Sequence, residues 1–338
     1  MRRMWNIYHD EIPEFLSEFM NLDIMKRIEK VGMNCGCEYT QFPLFQDLKP
    51  YSRYDHSVGC ALIIWHFTKD REQTLAGLFH DVSTPAFSHV IDFLHKDYLV
   101  QESTEEKTEE IMRDSLELMN LLDKYEIHLE RIKDYHIYPI ADNSTPCLSS
   151  DRLEYTLSNL YNYGICSLEE IKEFYEDLMI AVNEVGEPEL CFQSADTAEH
   201  FALCALKTAK IYVADADRLI MQLLSEVIDQ AIRWNVLFES DLYSDEEMVI
   251  SKLLSDKRTS LMWKQFTHLH AVEKAVNKPE TGLWRKVNAK KRWINPKSIL
   301  QGRVSEFSFE FKKEIRDFLN QNFEEFIGTK DNISYLSM

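Results

Sequence analysis

Apolar residues in this chain recur at helical spacing over long stretches and rarely alternate. That pattern restricts the fold more than any other feature. In DREQTLAGLFHDV, residues 70–82, the apolar side chains Leu75, Leu78, Phe79 and Val82 fall at i, i+3, i+4 and i+7, one face of a helix. Asp70 offers an N-cap, and Pro85 a stop soon after. HSVGCALIIWHF, residues 56–67, puts Val58, Leu62 and Trp65 on a stripe. Ile111, Leu118, Leu121 and Leu122 continue the pattern, as do segments around 168–182, 199–238 and 246–275. Hydrophobic residues make up 45% of 338, enough for a sizeable core, and nine Gly with nine Pro exclude collagen-like and low-complexity classes. The expected architecture is mostly helical.

The tail differs. WRKVNAKKRWINPKS, 284–298, is a basic-aromatic patch, and RVSEFSFEF, 303–311, alternates Phe with polar residues as a strand does. KKEIRDFLNQNFEEFI, 312–327, then reads as an amphipathic helix. These features predict a helical body over 1–280 and a small mixed α/β subdomain over 281–338, with no internal repeat. The patch has two readings, an anion-attracting segment or a surface loop beside an acidic body. ESTEEKTEE, 102–110, reads as a solvated acidic helix start or loop.

Charge and cysteines limit the partners. A net charge of -19 argues against a nucleic-acid coat, which presents a basic face. A small anionic substrate remains compatible, because a bound cation or one Arg cluster inverts the field locally. No apolar run approaches the ~18–20 residues of a membrane span, and the first fifteen residues do not read as a signal peptide. Seven cysteines, an odd number, fit reduced thiols in a cytoplasm better than a disulfide framework. Cys35 and Cys37 form a C-x-C with no second pair nearby, a poor zinc signal.

The chemistry centres on the adjacent pair His80-Asp81, placed by the periodicity inside an apolar helix. Neighbours on a helix are rotated ~100° apart and cannot share one core face. Burying both costs desolvation unless hydrogen bonds or a shared metal compensate. His56 lies 24 residues earlier in YSRYDHSVG with Arg53 just before it, His89 follows in STPAFSH, and Asp151 opens DRLEYTLSNL. His56, His80, Asp81 and Asp151 form a mixed N/O set suited to a divalent metal such as Fe, Mn or Zn, or Mg. Asp151 with Glu154 also fits a helix-capping pattern. The remaining histidines, His66, His95, His128, His136, His200, His268 and His270, belong to no constellation.

In SRYDHSVG, AGLFHDVSTPAFSH and DRLEYTLSN the chain resembles the HD-domain metal-dependent phosphohydrolases, and within them the dNTP triphosphohydrolase branch. The resemblance covers about residues 30–165, with the motif region about 50–165. It implies an all-α HD-domain fold in which His56, His80, Asp81 and Asp151 bind one metal. Arg53 would hold a phosphate oxygen, His89 would protonate the leaving oxygen, and Asp81 would also orient the attacking water. Tyr155 and Asn159, at i+4 and i+8 from Asp151, would contact the sugar, although the family has Asp where Asn159 stands. A nucleotide substrate, release of triphosphate and a homo-oligomer are the further implications. Two departures count against the substrate detail. The branch's H-E motif falls on ESTEEKTEE, where Thr104 or Glu105 replaces the His. The Arg and His that hold the triphosphate fall near Lys207, Lys210 and Tyr212, with Asp215, Asp217 and Arg218 following. Alternatives are a phosphomonoesterase or phosphodiesterase on another nucleotide, or a non-catalytic metal-stabilised module that binds nucleotide or protein.

Overall fold

The computed structural model describes residues 1–95 and 107–330. Seven helices build or support the site, labelled here α1 (Arg53–Thr68), α2 (Arg71–Phe79), α3 (Val90–Leu94), α4 (Ser150–Asn162), α5 (Ala195–Ile211), α6 (Asp215–Arg233) and α7 (Phe309–Asn320). Further helices, among them Glu14–Met20, Leu116–Tyr125, Leu168–Glu176 and Lys257–Thr267, pack around them. The described residues are mainly helical, with two small sheets.

Helix α1 starts where its capping box dictates. Ser52 Oγ accepts from the Asp55 amide and Asp55 Oδ2 accepts from the Ser52 amide, both at 3.1 Å. The helix is buried from Arg53 through Ile64 apart from Tyr54, as a helix apolar nearly all round must be. Two glycines let neighbours close on it. A Cβ on Gly59 would stand 2.6 Å from Glu154 Cγ of α4, and one on Gly77 of α2 would stand 2.2 Å from Ile64 Cδ1. At Gly59 the clash falls on the buried stem of Glu154, so the packing of α1 against α4 favours Gly there, whereas at Gly77 it falls on the end of the Ile64 side chain, which must shift to admit a methyl.

Asp70 caps α2 through the Gln73 amide as expected, and Leu75, Leu78, Phe79 and Val82 are fully buried. The helix nevertheless ends at Phe79. The His80-Asp81 pair therefore sits in the turn just past the helix and not inside it. That turn is held from outside: Arg27 Nη2 donates to the carbonyls of Val82 and Thr84, each at 2.8 Å.

Four expected helical or strand segments differ. The stretch 168–182 is helical only to Glu176; β1 (Leu178–Val182) then pairs antiparallel with β2 (Pro188–Phe192). The stretch 246–275 ends in β3 (Glu273–Ala275). RVSEFSFEF is helical, Val304–Phe307 followed by α7, because Ser308 Oγ caps the Phe311 amide at 3.0 Å. Phe311, Ile315 and Phe318 line the buried face of α7 while Phe309 is 84% exposed, so the Phe alternation marks a helix start. The helix stops at Asn320, and Phe326–Thr329 is a strand.

The tail shares both sheets with the body. After β4 (Leu283–Arg285) and β5 (Lys297–Ser298) come β6 (Gly302–Arg303) and β7 (Phe326–Thr329); one sheet runs β1-β2-β5-β6 and the other β3-β7-β4. Residues 286–296 between β4 and β5 are thus tied down at both ends.

Two buried clusters form the interior. One gathers α1, α2, α4 and α5, the other Phe87, α3 and α6. A cavity of about 630 Å³ draws its lining from both, with Tyr135 from the first and Cys35, Phe93 and Met221 from the second.

Candidate metal centre

The four residues singled out by spacing meet on one side of this cavity. His56 comes from the first turn of α1, His80 and Asp81 from the turn after α2, and Asp151 from the first turn of α4. His56 Nε2 lies 3.0 Å from Asp151 Oδ1, 3.2 Å from His80 Nε2 and 3.8 Å from Asp81 Oδ2. His80 Nε2 lies 3.6 Å from Asp81 Oδ2 and 3.7 Å from Asp151 Oδ1. Donors held ~2.0–2.2 Å from one ion stand about 2.8–4.4 Å apart, closest at right angles and farthest when opposite, so the spacing is compatible with one coordination shell.

Tautomers make the case for a cation independently of distance. His80 Nδ1 faces the Gly77 carbonyl at 2.7 Å, which only accepts, so Nδ1 carries the proton. His56 Nδ1 faces the Glu154 carboxylate at 2.6 Å and is protonated for the same reason. In the neutral rings both Nε2 atoms then present lone pairs to each other and to two carboxylates. Such a crowd repels itself unless a positive charge sits within it. Burial opposes charge on His56, yet Cys60 and hydrogen bonds to Asp151 and Glu154 outweigh it and hold its pKa well above the ordinary value. Burial likewise raises the Asp151 pKa, but His56 and His80 bring it down to about 2. The residues fit a divalent metal.

Glu154 is the support that sequence reasoning misassigned. The N-cap of α4 is Ser149, whose Oγ accepts from the Arg152 amide, and Glu154 is a buried partner of His56. Its carboxylate also accepts from Tyr51, and from Ser158 Oγ at 2.7 Å. A carboxylate behind a ligating imidazole fixes ring orientation and raises ligand basicity. Cys60 adds a thiol 3.6 Å from His56 Nδ1 and lies within the same cluster, with burial pushing its pKa up to about 12.

Arg53 is buried with its Nη1 2.9 Å from Asp81 Oδ2 and its Nε 3.0 Å from Ser88 Oγ. Thr84 Oγ1 donates to Asp81 Oδ1 at 2.8 Å. Burial alone would raise the Asp81 pKa; Arg53, His80 and His56 instead hold it far below the usual carboxylate range. Behind this contact the PAFSH turn carries two non-glycine residues at positive φ, Phe87 at 61° and Ser88 at 51°. Such conformations persist only where surroundings enforce them. Phe87 is fully buried, and Ser88 Oγ donates to the Gly32 carbonyl at 2.8 Å.

His89, just ahead of α3, faces the cavity. Its Nδ1 is 2.8 Å from Asp92 Oδ2, and its Nε2 accepts from Arg292 Nη2 at 3.1 Å. Tyr155 and Asn159 also line the cavity, and the Tyr155 ring centroid is 6.5 Å from that of His56. Asn159 Nδ2 donates to the Tyr212 hydroxyl at 2.8 Å, while its buried Oδ1 has no partner. Lys207 and Lys210 are absent from the described lining; Lys210 pairs with Glu314 at 2.6 Å. Thr104 and Glu105 lie outside the described residues.

Several lining residues were not marked as site residues by the sequence. His136 and Asp142 line the cavity, as do Asp217 and Tyr163. Ala289, Lys290, Arg292 and Trp293 reach it from the tail, so the basic patch is a cavity wall. Arg152 also lines it, but its guanidinium is spent: Nη1 pairs with Asp142 at 2.9 Å, Nε donates to the Cys147 carbonyl at 2.8 Å, and Nη2 bonds Asn143. The seven cysteines are free thiols, and no helix among the described residues is long and apolar enough to cross a membrane.

Comparison with known proteins agrees with this fold. No family model matches the chain. It is 27% identical over 216 residues to the uncharacterized protein YdhJ of Bacillus subtilis, covering 62% of this chain and 63% of that protein. It is 22% identical over 178 residues to the metal-dependent phosphohydrolase cns2 of Cordyceps militaris, covering 51% of this chain and 50% of that one. The chain thus spans between half and two thirds of the curated relatives it matches. A crystal structure of a phosphohydrolase from Bacteroides thetaiotaomicron superposes with a TM-score of 0.66 at 14% identity, over 95% of this chain and 97% of that one. The chain shares the fold of that phosphohydrolase.

Proposed function

We propose that the protein is a metal-dependent phosphohydrolase that cleaves a phosphate monoester of a nucleotide-sized molecule. The names of cns2 and of the Bacteroides neighbour support the reaction class. The charge of the cavity supports the substrate class, and it is the observation that carries this reading. With a divalent ion, the two neutral imidazoles and two carboxylates of the centre sum to no net charge. Among the described residues the rest of the wall presents Arg53, Arg152, Lys290 and Arg292 against Asp142 and Asp217. That surplus of two to three positive charges, Asp217 being pushed up to about 7 by burial and so part-protonated, suits a monoester, which carries about -1.5 to -2 near pH 7. A triphosphate carries roughly double that, and the cations that would meet it, Lys207 and Lys210, are not on the described wall.

A bound divalent ion would acidify a water molecule and polarise a phosphoryl oxygen. Arg53 is fixed by Asp81 and Ser88 through Nη1 and Nε, which leaves Nη2 to hold a phosphoryl oxygen. Asp81, anchored by Arg53 and Thr84, orients the attacking water, and His89 delivers a proton to the leaving oxygen. Asn159 Oδ1 accepts from a sugar hydroxyl, with Tyr155 against the sugar ring. Tyr163, Tyr212 and Trp293 provide aromatic surface for a base.

The test is a product assay on mono-, di- and triphosphates of all common nucleosides with Mn, Fe, Zn and Mg. Inorganic phosphate released from a monophosphate is the expected result. Intact triphosphate as product would restore the triphosphohydrolase reading, which the PAFSH resemblance favours. Stoichiometric metal with no turnover across the panel would leave a binding module.

A further inference from the structure

His89 and Arg292 stand 203 residues apart in sequence and touch at the cavity wall. Arginine has only donors, so His89 Nε2 must present its lone pair to Arg292. Asp92, whose side chain is fully buried, accepts a hydrogen bond from the Nδ1 proton. His89 is therefore neutral in this state and holds no proton on the nitrogen that faces the cavity. It cannot yet act as the acid that the proposed reaction needs.

Resting on that reaction, we infer that Arg292 couples phosphate binding to the proton-donor state of His89. A guanidinium fork forms stronger, bidentate bonds to a phosphoryl dianion than to a neutral imidazole. A monoester entering the cavity draws Arg292 off Nε2. The imidazole then loses an adjacent cation, gains an adjacent dianion, and takes a proton from water. In the hydrolytic step the bond from phosphorus to the leaving oxygen breaks with its electron pair on that oxygen, which receives the Nε2 proton. Water contributes OH to phosphorus and its second proton to solvent, so the balance is that of simple hydrolysis.

The tail is built to keep Arg292 at this post. Lys291 Nζ is held by the carbonyls of Leu319 and Gln321, Asn295 N donates to the Pro146 carbonyl at 2.9 Å, and Ile294 is buried. Among the described residues, the charges acting on His89 fit the same balance. Burial disfavours its protonation most, then Arg292; Asp92 opposes them and Arg53 of α1 adds to them, so the pKa falls to about 4. Cys35, packed nearby, is pushed up to about 12 by burial and contributes no charge. Asp217, on α6, faces Arg292 across the cavity.

Arg292 is thus a phosphate-binding and positioning residue, and its action on His89 is measurable without turnover. The full chain loaded with zinc, which is diamagnetic, is labelled with 15N-histidine and titrated with and without inorganic phosphate; His89 is identified by the signal lost in His89→Gln. Saturating phosphate is expected to raise the His89 midpoint by more than about one pH unit, a tenfold change in protonation. Arg292→Ala is expected to raise it without phosphate and to weaken phosphate binding at least about tenfold. Arg292→Gln repeats the comparison should the Ala variant not fold. A His89 midpoint unmoved both by phosphate and by loss of Arg292 overturns the coupling. If the coupling is seen but no ester is hydrolysed, the inference stands and the proposed reaction fails.

Discussion

Glu154→Gln tests the centre through a residue that would touch no metal. The side chain keeps its volume, so the close approach at Gly59 is unchanged, and the amide oxygen can still accept from His56 Nδ1. The full negative charge behind the imidazole is lost, and the new NH₂ takes the place of Oε1, where Ser158 and Tyr8 now donate. At 2.6 Å the His56–Glu154 contact is short and charge-assisted. Replacing such outer partners typically costs 10–100-fold in metal affinity, about 1.4–2.7 kcal/mol. A chelator-competition titration with zinc or manganese reads this directly, with circular dichroism of the metal-free chain as the folding control. Affinity within a factor of two of the parent, in a folded variant, would refute the argument that Glu154 tunes the ligand set.

Two further outcomes follow from packing and burial. Gly59→Ala places a methyl 2.6 Å from Glu154 Cγ, so it should cost about 1–3 kcal/mol in denaturant unfolding and weaken metal binding in the same variant. An unchanged midpoint would show that α1 and α4 separate freely. Burial pushes the Asp217 carboxyl up to about 7 against an unfolded value of ~3.9. In that window the folded chain holds a proton the unfolded chain has lost, so stability falls as pH rises from ~4 to ~7 and stays low above. Asp217→Asn should therefore raise the melting temperature at pH 8 and leave it nearly unchanged at pH 4; a gain independent of pH would contradict the assignment.

What the sequence revealed was local. Asp70 marked the start of α2, and the spacing of His56, His80, Asp81 and Asp151 marked four side chains that the fold does bring together. Cap chemistry decided the cases that periodicity misread. The Phe alternation at 307–311 looked like a strand, but Ser308 offers its hydroxyl to a helix start, and a capped, half-buried helix outweighs alternation. The helix over 168–182 gave way to a hairpin whose strands gain a third partner from residue 297 onward, a pairing invisible to a local window. Glu154 matched a capping pattern one turn from a better cap, and its true partner lies 98 residues away. Arg292 lay in a patch legible only as charge. That it lines the same cavity as His89 depends on two sheets closing around the tail, which no spacing along the chain encodes.

The central claim is that His56, His80, Asp81 and Asp151 share one cation. The most direct measurement is an anomalous difference map collected at the absorption edge of the metal carried by the purified protein. The account expects one strong peak about 2.0–2.3 Å from His56 Nε2, His80 Nε2 and an oxygen of each aspartate, absent from crystals of Asp151→Ala. A peak elsewhere, or one that survives that substitution at full occupancy, would contradict it.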